Sequence, residues 1–236
     1  MRTPPPSSSP RPKMPSPKAT GTPEESDIDR VLAEGGLPQF TPPVRRQLAL
    51  YLNLLMKWNS AMNLVGARDW QTALLNLLAD SFYLDQFMNG LDLPANPEIW
   101  DLGSGAGLPG IPLRIIRQDG IYRMVEAREK RALFISNALA LLKLPGTFVH
   151  QARVENFFHN PPGVKKAQLI ISRAFKPWQE VLALSRPHLA PQGLALIMGN
   201  GQEEKNMPDG WKNAGFMAYE LAGSLRMFQT FEVVEP

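Results

Sequence analysis

Residues 98–110, EIWDLGSGAGLPG, join a short apolar run to an acid and then to a turn in which glycine recurs at 103, 105, 107 and 110. A helical period follows over 109–118, so the segment predicts a strand, a tight turn and a helix. In an open α/β sheet ligands sit outside the carboxyl ends of the strands, which makes this turn the expected binding site. Gly103, Gly105 and Gly107 can take backbone angles that a Cβ forbids, and they let a ligand approach the main chain. Pro109 and Pro112 fall in the first helical turn, where a missing N–H costs little.

The same alternation continues downstream. Short apolar runs at 98–102, 121–126, 147–151, 168–172 and 194–198 read as strands, with helices at 109–118, 128–143 and 177–189 between them. Within 128–143, Ala132, Ile135, Leu139 and Leu142 line one face. This order predicts a parallel α/β sheet. Two last runs, 216–221 and 227–234, flank a Gly-Ser turn and read as an antiparallel hairpin closing one edge. Upstream lies a helical segment. Thr22-Pro23-Glu24-Glu25 offers an N-cap hydroxyl with proline at the first helical position, Ile28, Val31 and Leu32 form a stripe, and Gly35-Gly36 stops the helix. A second helix opens at Thr41-Pro42-Pro43 and carries Val44, Leu48, Leu52 and Leu55 at helical spacing, and a third covers 70–88. The expected domains are a basic Pro/Ser-rich disordered tail over 1–21, a helical extension over 22–90 and a Rossmann-like unit over 91–236.

Composition removes several classes of function. The 236 residues include no cysteine, which excludes disulfides, thiolate metal sites and a cysteine nucleophile. His150, His159 and His188 lack metal-ligand spacing, so no metal is expected, and Ser104 lacks the setting of a nucleophile elbow. No stretch nears the roughly 18 apolar residues of a membrane span, and a cytoplasmic monomer is expected. Charge is unevenly spread: residues 111–190 hold 13 Arg and Lys against 5 Asp and Glu, a net of +8, while 24–110 net −6 and 191–236 net −3. A basic middle is either a polyanion footprint or a set of solvated helix faces.

Two cofactors compete for the glycine turn. Gly105-x-Gly107-x-x-Gly110, with Glu126 lying 19 residues beyond Gly107, matches a dinucleotide fingerprint and would suit an NAD-dependent oxidoreductase. Asp101 tips the choice. Phosphates seek an N–H-rich helix end without a carboxylate, whereas an acid before the turn suits a ligand bearing an ammonium group. The methionine part of S-adenosylmethionine is such a ligand, and Glu126 could accept from both ribose hydroxyls. The terminal hairpin also suits methyltransferase sheets.

More specific motifs accompany the turn: W-N-x-x-x-N-L (Trp58, Asn59, Asn63, Leu64), Arg68-Asp69, Asp80-Ser81, D-L-G-S-G-A-G-L-P-G-I-P (from Asp101 to Pro112), Lys130-Arg131 with Phe134, Q-A-R-V-E ending at Glu155, and Ser172-Arg173-Ala174-Phe175. Together they resemble the RsmG (GidB) family, which methylates N7 of a guanine in 16S ribosomal RNA. The resemblance implies a class I S-adenosylmethionine methyltransferase, an α/β Rossmann-like sheet with the helical extension and the hairpin, acting on 16S RNA or the small ribosomal subunit. It also places cofactor contacts on Gly103, Leu108, Val154, Glu155 and Arg173, beside Asp101, Gly105 and Glu126 from the reading above. Val154 and Glu155 would grip the adenine edge. Arg173 would position the cofactor carboxylate or an RNA phosphate, and Phe175 could stack on a displaced base.

The chemistry agrees with this assignment. Pyrimidine C5 methylation normally uses the absent cysteine, and the Asp/Asn-Pro-Pro-aromatic run of amine methylation is replaced by Ser172-Arg173-Ala174-Phe175. A ring nitrogen or a hydroxyl remains, and guanine N7 has no proton to lose, so no catalytic base is assigned. The chain departs from the family pattern at Asn76 and Leu77, where an Arg-His pair is usual, and at Met198, where a lysine is common. These departures motivate the alternative of a divergent relative that binds cofactor and RNA as an assembly or sensing factor.

Overall fold

The structure, a computed structural model, describes residues 21–159 and 165–234. The predicted tail therefore lies outside the described residues, apart from Gly21. The first helix, α1 (Glu25–Glu34), starts later than the Thr22 signal implied. Its N-cap is Glu24, joined reciprocally to Asp27, whose Oδ2 accepts from the Glu24 N–H at 3.1 Å. Pro23 is buried and its carbonyl accepts from Asn53, which holds it outside the helix. Gly36, at φ 65°, ends the helix as expected.

Helix α2 (Pro42–Met62) has proline in its first turn and ends at Asn63 in the left-handed conformation. Asn59 pins the loop that follows: its Oδ1 accepts from the Val65 N–H and its Nδ2 donates to the Ala67 carbonyl, both at 2.8 Å. Trp58 packs edge-on against Phe134 and Leu64 is buried. The W-N-x-x-x-N-L motif thus terminates a helix and anchors its loop. The third helical stretch comprises α3 (Trp70–Ala73), capped by Asp69, a π-helical turn (Leu74–Leu78) and α4 (Ala79–Met88).

From residue 98 the alternation follows the reading, with a short helix added at 154–159 and the last helix ending at Ser185, before the 189 expected. In order come β1 (Glu98–Leu102), α5 (Gly110–Ile116), β2 (Ile121–Glu126), α6 (Glu129–Leu142), β3 (Thr147–Gln151), α7 (Val154–His159), β4 (Ala167–Arg173), α8 (Trp178–Ser185), β5 (Leu189–Asn200), β6 (Trp211–Leu221) and β7 (Ser224–Val233). The seven strands form one sheet in the order β3-β2-β1-β4-β5-β7-β6. Strands β1 to β5 pair in parallel, and β7 runs antiparallel to both β5 and β6. This is the expected Rossmann-like sheet closed by a hairpin, with β7 as its inner strand.

Alternation along the strands divides the core in two. Ile99, Tyr122, Met124, Leu169 and Leu196 face the side covered by α1, α2, α4, α5 and α6, in one continuous apolar cluster. Trp100, Leu102, Val125, Ile170 and Ile197 face the side covered by α7 and α8. All five residues of β1 are buried, as a central parallel strand requires. The strand order reverses between β1 and β4, which opens a crevice at their carboxyl tips.

Candidate functional site at the β1 and β4 tips

The turn after β1 is built from the main chain outward. Gly103, Gly105 and Gly107 have φ of 77°, 59° and 74°, angles at which an L side chain is strained. The Gly103 and Ser104 N–H groups donate to the Val125 carbonyl, fastening the turn to β2. Glu126 at the β2 tip is 5% exposed, and its two oxygens accept from the Gly105 and Arg128 N–H groups, each at 2.8 Å. Neighbouring glycines serve packing. A Cβ on Gly107 would lie 2.4 Å from Ile111, and one on Gly110 would meet Met124, Tyr122 and Asp101 at 2.6–3.0 Å. Only Gly103 faces the crevice, with the Phe175 ring 2.6 Å from where its Cβ would stand.

Two clefts open at this end of the sheet. One, of about 380 Å³, is lined by Gly103, Glu126, Arg128, Arg131, Val154 and Glu155, and also by Ala174, Phe175 and Lys176. The other, of about 230 Å³, is lined by Asp80, Arg173, Ala174, Met198, Tyr219 and Arg226, with Gly199, Asn200 and Met227 completing it. They share Ala174, which holds φ 50° directly after β4. Side chains rarely keep that conformation without a tertiary reason.

Of the predicted residues, Gly103, Glu126, Val154 and Glu155 line the first cleft and Arg173 lines the second. Glu155 is exposed and forms an ion pair with Lys176 across the cleft mouth at 3.6 Å. Asp101, Gly105 and Leu108 line neither cleft. Gly105 acts through its bond to Glu126, and Leu108 packs against the core on the α5 side. Asp101 is 1% exposed, beneath the turn, and its Oδ2 has no hydrogen-bond partner. Burial pushes its carboxyl up to about 7, against the downward pull of Ser104, Tyr122 and Arg173. On Arg173, likewise, the buried Nη1 lacks a partner. A buried acceptor below the turn, beside Gly110 and Tyr122, and a buried donor in the second cleft are therefore left without hydrogen-bond partners. They match the ammonium and the carboxylate of an amino acid, and the set fits the methionine end of S-adenosylmethionine.

One group of residues escaped sequence reasoning. Asp80, at the start of α4, is 2% exposed; its Oδ2 accepts from Arg226 (2.5 Å) and forms an ion pair with Arg173 (2.9 Å), and its Oδ1 accepts from the Tyr219 hydroxyl (2.9 Å). Burial, reinforced by Asp80, keeps the Tyr219 phenol protonated far above ordinary pH, so it acts as a donor. Asp80-Ser81 stood among the motifs. Its partners lie 139 and 146 residues away on β6 and β7, and no local signal connects them. The departures fall nearby: Asn76 and Leu77 occupy the π-helical turn preceding Asp80, and Met198 lines the second cleft, where Arg226 opposite Asn200 supplies a cation.

The basic middle segment divides between interior and surface. Arg114 is buried, Arg117 pairs with Asp85 and Arg123 with Glu98. Arg128, Arg131, Arg153 and Lys176 line the first cleft, and Lys130 lines a hollow beside it. Among the described residues, no group of three or more His, Asp or Glu is placed to hold a metal, and no helix is long and apolar enough to cross a membrane.

The family model described as GidB, rRNA small subunit methyltransferase G, matches residues 44–219. The chain belongs to this family. Among its relatives, the ribosomal RNA small subunit methyltransferase G of Nitratidesulfovibrio vulgaris (strain DP4) is 49% identical over 185 residues, covering 78% of this chain and 83% of the relative. That of Oleidesulfovibrio alaskensis is 40% identical over 215 residues, covering 87% and 92%. In fold, a mutant of MtNAS solved with S-adenosylmethionine is similar at a TM-score of 0.53 and 14% identity, covering 88% of this chain and 84% of that one.

Proposed function

We propose that the chain transfers a methyl group from S-adenosylmethionine to N7 of a guanine in small-subunit ribosomal RNA, in the cytoplasm. The observation that carries this reading is the pair of clefts joined at Ala174, one floored by the glycine turn and Glu126 and the other by a buried ionic cluster. When bound, S-adenosylmethionine supplies a methyl group whose bond to the sulfonium sulfur breaks as the N7 lone pair forms the new one, the electron pair leaving on a neutral thioether.

The residues bind and align. Glu126 keeps acceptor capacity beyond its two main-chain bonds and takes the ribose hydroxyls. Asp101 receives the ammonium, Arg173 donates its free Nη1 to the carboxylate, and Val154 and Glu155 border the adenine. The bare main chain at Gly103 lets the ligand lie close once Phe175 yields the space over it. Guanine N7 carries a lone pair and no proton, so alignment supplies most of the acceleration and no side chain needs to remove a proton. N7 lies in the deep groove of an RNA helix, so the guanine must be presented from a loop.

Two measurements test the reading. Calorimetric titration should show binding of S-adenosylmethionine and none of NAD. Mass mapping of 16S nucleosides from a deletion strain should show a 7-methylguanosine that returns only with the restored gene. A restored strain still lacking it would overturn the catalytic reading and leave the assembly-factor alternative.

A further inference from the structure

The composition of the second cleft bears on which base is methylated. Asp80 is nine-tenths buried and more, yet two guanidiniums and a phenol converge on its single carboxylate. A carboxylate has about four lone-pair sites. Tyr219 and Arg226 donate to it and Arg173 lies in ion-pair contact with Oδ2, so acceptor capacity is left on a group held from three strands. Arg226 is likewise held at one nitrogen, which leaves its fork with further donors. The remaining lining combines Gly199 and Asn200 with two methionines. Met198 and Met227 are buried thioethers, and the Met227 Cε lies 3.0 Å from where a Gly199 Cβ would stand. Thioethers make favourable contacts with aromatic rings. The cleft holds about 230 Å³ and shares Ala174 with the cofactor cleft.

Resting on the methyltransferase reading above, we propose that this second cleft seats the acceptor guanine and that Asp80 selects it. Guanine presents N–H donors at N1 and at its 2-amino group, and one of them takes up the acceptor capacity left on Asp80. Adenine presents a lone pair at N1 instead, which a buried carboxylate repels. Arg226 donates to O6, a position that adenine fills with an amino donor. With the Watson–Crick edge gripped in this way, N7 is left without a donor and free for the methyl group. Flipped bases are read by hydrogen bonds to this edge and by contacts on their faces. A site built around a buried polar partner rejects a base that leaves that partner unpaired far better than an apolar pocket could. Arg173 lines this cleft, pairs with Asp80 and directly precedes Ala174, the residue the two clefts share.

The test uses the full chain, S-adenosylmethionine and small subunits from a strain lacking the modification. Arg226→Lys keeps the charge and removes the fork, and Tyr219→Phe removes one anchor of Asp80. Both should bind S-adenosylmethionine within about twofold of the parent while kcat/KM for methyl transfer falls roughly 10- to 100-fold, the usual effect of losing a hydrogen bond to a charged group. Asp80→Asn should in addition narrow the preference for guanine over inosine, which lacks the 2-amino group, in a synthetic RNA acceptor. Parent-like transfer by Arg226→Lys and Tyr219→Phe would overturn the assignment of this cleft while leaving the methyltransferase reading intact. Loss of cofactor affinity by the same factor as activity would also overturn it, by assigning the cleft to the cofactor. A parent protein that binds S-adenosylmethionine but methylates no subunit would overturn both.

Discussion

At the scale of single residues, the site depends on groups left incomplete inside the protein. Asp101 keeps one oxygen unpaired, and burial raises its carboxyl to about 7. The folded chain therefore holds a proton there more tightly than the unfolded chain, whose value is near 3.8. Stability falls as pH rises from about 4 to about 7 and is level beyond. Asp101→Asn removes that loss, so the variant should be more stable than the parent at pH 8, by about 1–4 kcal/mol, with the gap closing near pH 4. It should also bind S-adenosylmethionine more weakly, because the ionised form is the one that attracts an ammonium. Denaturant melts at the two pH values and calorimetry check both outcomes. An Asp101→Asn protein with parental affinity would remove Asp101 from the cofactor site. Gly103→Val should abolish binding through a different contact from the one the sequence suggested. Its Cβ meets Phe175 before any ligand and is strained at φ 77°, so a lowered melting temperature should accompany the lost affinity.

At the scale of elements, strand bounds were legible where no glycine or proline interrupts the run. Strands β2 and β3 coincide with their predicted bounds. Strand β5 begins five residues earlier than read because Pro191 and Gly193 resemble a break, yet the chain stays paired through an irregular register beside Ala167. Strand β6 extends back to Trp211 across a register shift between Asn213 and Gly215, where a Cβ would press on Thr230 at 2.9 Å. In both, a glycine that makes room for a neighbouring chain looks like punctuation in the sequence. Arg114 shows the limit of reading charge alone. It counts toward the basic segment, but it is 1% exposed and donates to Thr147, Asp119, Gln118 and Pro145, joining the end of α5 to the starts of β2 and β3. Arg114→Met would leave several buried carbonyls without donors and should cost about 3 kcal/mol or more in a urea melt, whereas neighbouring surface arginines such as Arg128 should cost under about 0.5.

For the whole molecule, the glycine turn and the parallel sheet announced the cofactor cleft, but the ionic cluster depends on chain reversal through the hairpin and has no local signature. Charge works at this scale too. With Arg128, Arg131, Arg153 and Lys176 lining the first cleft and Lys130 the hollow beside it, binding of small subunits should weaken by roughly tenfold or more as salt rises from 50 to 200 mM, through release of counterions from the RNA. Cofactor affinity should change little over the same range, because Asp101 and Glu126 are screened from solvent by burial. Parallel salt titrations of the two ligands test the contrast, and equal slopes would remove the cations from the RNA-binding surface. The order of synthesis adds a consequence of the hairpin. Asp80 is translated 139 and 146 residues ahead of Tyr219 and Arg226. A nascent or prematurely terminated chain can shape a nest for the methyl donor while the opposite wall is still missing. Such a chain has nowhere to lodge the RNA on which its own translation depends.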